Sequence, residues 1–192
     1  MRPMEQKHNS KTYGHRVDKN DNIVGVSENW QSFAEENLGA ACIPEKIIGS
    51  SLWDHIRDTE TKHLYEIILQ KVREYHRQAT FSFRCDSPEI RRFLKLSVVP
   101  LADGAVDFIS QRIKTEVRKP VELLRSGIER SDEFIKICSM CKKIAISETG
   151  WAEVEIAVQE MKFFEREVLP QITHGVCQPC YYIAMAELDR IV

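Results

Sequence analysis

The sequence predicts an α+β chain: an antiparallel sheet with flanking helices, followed by a small cysteine module. Three observations lead there. TFSFRC and RRFLKLSVVPL alternate apolar and polar positions, and AVDFISQRI follows as a third consecutive run. Ahead of them, DTETKHLYEIILQKVREYHR carries an apolar stripe at helical spacing. Near the C-terminus stand two C-x-x-C units, Cys138/Cys141 and Cys177/Cys180, with 35 residues between Cys141 and Cys177.

In chain order, TYGHRVDKNDNIVGVS reads as two short strands around the turn Lys19-Asn20-Asp21-Asn22. ENWQSFAEENLG follows as a helix, with Trp30, Phe33/Ala34 and Leu38 on one face and Gly39 as its stop. Next come IPEKIIGSSLWDHI and then the long helix, which uses Asp58 as N-cap and shows Leu64, Ile67/Ile68, Lys71/Val72 and Tyr75 on one face. TFSFRC, RRFLKLSVVPL and AVDFISQRI then read as strands, the last two joined through Ala102-Asp103-Gly104. The order is β-β-α-α-α-β-β-β over residues 12–117. Residues 118–136 hold Pro120 and Gly127, which interrupt any long helix, and read as a linker.

The module spans residues 137–192. A C-x-x-C sets two sulfurs on one tight turn, each about 2.3 Å from a common ion, and a second pair completes a tetrahedron. Thiolates suit Zn²⁺, and four of them leave no open position for water. The segment between the pairs reads as a short strand at 142–146, a turn at 147–150 and a helix opening at Trp151. A last helix places Ala184, Leu188 and Ile191 on one face, with Pro179 inside its first turn. Cys177 and Cys180 then sit at a helix N-terminus, where the dipole favours the thiolate. Cys138, Cys141, Cys177 and Cys180 are therefore expected to hold a structural zinc. His174, three residues before Cys177, either replaces one thiolate or packs beside the site. Cys42 and Cys85 read as small buried hydrophobes, with a reactive sensing thiol as the alternative.

Charge narrows the partners. Formal net charge is -2, and residues 138–192 hold five Lys/Arg against eight Asp/Glu. Nucleic-acid binding requires clustered positive charge, so no nucleic-acid partner is expected. No apolar run reaches the length of a membrane span. The polar stretch MRPMEQKHNSKTYGHR lacks a secretory signal's apolar segment, so a cytoplasmic location is expected. No G-x-S-x-G, H-E-x-x-H or P-loop pattern is present, and no enzymatic activity is expected.

The order of elements, with "RVDKNDNIVGVSENW", "IIGSSLWDHI" and the terminal three-strand run, resembles a PAS domain over residues 12–117. "CSMCKK…W…THGVCQPC" is similar to a short cysteine module that follows PAS and other signalling domains in bacterial proteins. Cys138, Cys141, Trp151, His174, Gly175, Cys177 and Cys180 fall on its pattern. The knuckle, hairpin and helix-borne knuckle also resemble a treble-clef zinc finger. The resemblance implies a signalling or adaptor protein that senses a small ligand or binds a protein partner or a second copy of itself. A haem-based gas or redox sensor using His63, with His55 just before the long helix, is an alternative. A thiol–zinc redox switch is another. Trp30, Phe33, Trp53, Phe81 and Phe83 either line a pocket or fill the core.

Overall fold

The alternating segments of the N-terminal part close into one five-stranded antiparallel sheet. The computed structural model describes residues 12–37 and 42–192. The expected helix stop at Gly39, and Leu38 before it, lie outside the described residues. Strands β1 (Thr12–Val17) and β2 (Ile23–Val26) form a hairpin. Asp18 shapes its turn: Oδ1 accepts the backbone N–H groups of Asn20 and Asn22, each at 2.9 Å. Asp21 takes the left-handed conformation there (φ 64°), which a short polar side chain tolerates.

Helices α1 (Trp30–Asn37), α2 (Pro44–Ile47) and α3 (Thr59–Tyr75) follow, with a 3-10 turn at Leu52–His55. Asp58 caps α3 as expected, its Oδ1 accepting Thr61 N–H at 2.7 Å. Leu64, Ile68, Leu69 and Val72 form the buried face of α3, while Tyr75 in its last turn is exposed. Strands β3 (Ala79–Arg84), β4 (Ile90–Pro100) and β5 (Val106–Val117) complete the sheet in the order β2-β1-β5-β4-β3. Phe81, Leu96, Val98 and Phe108 bury against the α3 face. Phe33 is buried, and Trp30, Trp53 and Phe83 are half-buried against the same core. These aromatic residues are core material.

A second, four-stranded sheet begins inside the segment read as a linker. Strand β6 (Arg130–Cys138) takes its second half, with Ile135 and Ile137 inward. Pro120 and Gly127 flank a 3-10 turn at Glu122–Leu124, and the strand that follows pairs with a segment far along the chain. Next come β7 (Ile144–Ala145), β8 (Trp151–Ala152), α4 (Val154–Glu160), β9 (Leu169–Gly175) and α5 (Gln178–Asp189). Their sheet order is β8-β7-β6-β9, with β6 and β9 parallel. The helix expected from Trp151 begins later, at Val154, because Trp151 and Ala152 pair with Ala145 and Ile144. It lasts about two turns and ends before Lys162, which is left-handed at φ 53°.

Leu123, Ile135, Ile144, Val154 and Phe163 make a small core under this sheet. The larger core does not stop at the first sheet. It continues from Phe108 and α3 into Cys138, Met140, Cys177, Ala184 and Leu188. Backbone joins the parts as well, since Arg84 N–H donates to the Met140 carbonyl at 2.7 Å. Around that junction Arg84 pairs with Asp86 and Glu153, and Arg118 pairs with Asp86 and Glu155. No helix among the described residues is long and apolar enough to cross a membrane.

Candidate metal centre

Parallel pairing of β6 with β9 sets Cys138 opposite Gly175, and so brings the two C-x-x-C units together. The first unit turns sharply after β6. Lys142 N–H donates to the Cys138 carbonyl at 3.0 Å, and Cys138 N–H donates to the Lys143 carbonyl at 2.8 Å. Lys142 is left-handed at φ 61°, which closes the turn. In the second unit Cys177 is the N-cap of α5 and Pro179 lies in its first turn. Cys177 N–H points at Cys138 Sγ, 3.4 Å away.

The sulfurs of Cys138, Cys141, Cys177 and Cys180 lie within 4.8 Å of one another. Cys141 Sγ and Cys177 Sγ are 3.7 Å apart. A tetrahedron with metal–sulfur bonds of about 2.3 Å has sulfur–sulfur edges of about 3.8 Å, so the spacing fits one central ion. It is too long for a disulfide, whose sulfurs are about 2.05 Å apart. The group is able to hold a metal ion and is compatible with zinc. Its electrostatics agree. Hydrogen bonds from Cys141 and Cys180 push the Cys138 thiol pKa far down. The contact with Cys138 pushes Cys141 up to about 12, and contacts with Cys138 and Cys141 push Cys180 further up, since crowded sulfurs resist a second negative charge. A divalent cation relieves that repulsion.

Surrounding groups hold the cluster in place. Lys142 Nζ donates to the Ser139 carbonyl at 3.1 Å, with its ammonium in the field of Cys138 and Cys141. Burial pushes the Lys142 pKa down. From α3, Thr61 Oγ1 and Ser139 Oγ share a hydrogen bond of 2.7 Å. Glu60 accepts Val176 N–H and the Lys136 ammonium, both at 2.8 Å, and its carboxyl is held below the ordinary range chiefly by Lys136. Gly175 permits that approach, because a Cβ there would stand 2.6 Å from Glu60 Oε2.

His174 is outside the sulfur group and exposed. Partial desolvation by its neighbours lowers its pKa even so, with Lys142 adding to the effect and Asp58 opposing it. Trp151, like Cys141 and Cys180, is half-buried against the larger core. His63 sits on the outer face of α3 with its side chain 64% exposed, and His55 contacts Ser50 at 2.7 Å. Cys42 and Cys85 are half-buried free thiols, each with its pKa raised by burial.

Two groups escaped the sequence reading. Glu60 is 78 residues from Cys138 and nothing local marks it. His15 lies on β1 with its ring stacked on Phe108 (centroids 4.8 Å) and edge-on to Trp30. His15 Nε2 is buried and has no hydrogen-bond partner, and burial drives its pKa down to about 4. Its strand position, between Gly14 and Arg16, gave no signal of this. In comparison with known proteins, the chain matches no protein-family model and no curated protein.

Proposed function

We propose that this chain is a non-enzymatic signalling or adaptor protein, in which a PAS-like sensory domain is joined to a treble-clef-like tail closed by a structural zinc. One observation carries the zinc: four cysteine sulfurs at mutual distances within 4.8 Å, matching a tetrahedral donor set. Zinc bound there supplies a cross-link and cancels thiolate charge. With four sulfur donors it keeps no position for water, so its role is structural.

The PAS-like reading is supported by the order β-β-α-α-α-β-β-β over residues 12–117. The treble-clef-like reading is supported by a knuckle after β6, the β7–β8 hairpin, and a second knuckle at the start of α5. His15 supports the ligand-sensing arm, because a buried imidazole nitrogen without a partner is a ready hydrogen-bonding point for a small polar ligand. Through the PAS-like domain the chain would contact a protein partner or a second copy.

The test is to strip the metal with a strong chelator and follow thermal unfolding. Metal binding is coupled to folding of such a site, so Tm is expected to fall by more than about 10 °C, and Cys177→Ser is expected to reproduce the fall. An unchanged Tm after chelation overturns the structural role.

A further inference from the structure

Beside the cysteine cluster lies an open groove of about 510 Å³. Its walls include Trp151 from β8, Tyr181 and Tyr182 from α5, Glu60 from α3, Lys136 from β6, and Glu148 from the loop before β8. Three aromatic rings line this one groove. Tyr182 is 61% exposed and the neighbouring Ile183 is 64% exposed. The Tyr181 and Tyr182 rings meet edge to face, with centroids 6.2 Å apart and planes at 63°, so their faces turn in different directions. Exposed aromatic residues of this kind mark contact surfaces.

The charges decide what fits. Lys136 is already paired with Glu60 at 2.8 Å, so it offers no free cation to an incoming anion. Glu148 lines the groove as an exposed carboxylate and has no ion-pair partner among the described residues. The N-terminus of α5, which favours anions, carries the sulfurs of Cys177 and Cys180. Four thiolates around a divalent ion add a net charge of about -2 close by. Aromatic faces and carboxylate together suit a cation, and a guanidinium best, since it stacks on rings and pairs with a carboxylate in one geometry.

We propose that this groove receives an arginine side chain from a partner protein. The guanidinium stacks against Tyr182 and Trp151 and pairs with Glu148. This extends the adaptor reading by naming the chemistry of its partner, and it places the contact on the cysteine module.

The test uses the full, zinc-loaded chain and three synthetic seven-residue peptides that differ only at the central residue: arginine, norleucine or glutamate. Binding is read by fluorescence polarisation and by the indole N–H signal of Trp151 in NMR spectra. The arginine peptide is expected to bind at least about tenfold tighter than the norleucine peptide and to shift the Trp151 signal. Tyr182→Ala and Glu148→Gln change exposed side chains, and each is expected to weaken it by about three- to tenfold. Equal binding of the norleucine or glutamate peptide overturns the proposal. So does an unmoved Trp151 signal, or variants that bind like the parent. Metal content is measured on the same samples. A zinc-loaded protein that ignores all three peptides therefore rejects the groove and leaves the metal reading standing, whereas a zinc-free protein that still prefers the arginine peptide rejects the metal reading and leaves the groove standing.

Discussion

At the scale of the residue, the two unusual environments are the four crowded sulfurs and His15. The sulfurs were legible because C-x-x-C spacing is a local signal. His15 was not, because its burial comes from Phe108 and Trp30, which other elements bring to it. Its consequence is a pH dependence of stability. The folded-state pKa is about 4 against an ordinary 6.5, lowered by desolvation, with Asp107 opposing and His55 assisting. Above pH 6.5 both states leave the ring neutral and it contributes nothing to the dependence. As pH falls from about 6.5 to about 4, the unfolded chain takes up a proton that the folded chain refuses, and stability is lost. The loss is of the order of 1–3 kcal/mol. Urea midpoints at pH 7 and pH 4.5 are expected to differ less in His15→Leu than in the parent. Identical differences would show that His15 titrates freely.

At the scale of the element, features set by neighbours in sequence were readable: the Asp58 cap, the turn after Asp18, the Pro179 start of α5 and the apolar face of α3. Strand β6 and its partner β9 were not. Their parallel pairing joins Cys138 to Gly175 across 36 intervening residues, and no local pattern announces a parallel neighbour. The ion pairs between elements are equally non-local. Asp86, with its side chain 1% exposed, holds both Arg84 and Arg118 where strand β3 meets the cysteine module. Removing it leaves two cations short of a partner in a largely buried site. Asp86→Ala is therefore expected to cost about 3 kcal/mol in urea unfolding. A change below about 1 kcal/mol would show that water or the remaining glutamates replace it.

At the scale of the whole molecule, the cysteine module and the larger sheet share a core. Cys138, Met140, Cys177, Ala184 and Leu188 pack in one continuous cluster with Leu64, Ile68 and Phe108. Sequence showed both halves and gave no sign of this union, because the contacts run between α5 and β3 and between α3 and the knuckle. The four-cysteine group thus lies where the two sheets meet, and an ion bound there would brace both. The claim rests on the ion being present. The most direct measurement is elemental analysis of protein purified without chelator, with free thiols counted in parallel. About one zinc per chain, with little iron, is the expected result, and it sinks if Cys138→Ser retains the same zinc content. No metal alongside six intact thiols, or iron near one per chain, would contradict it.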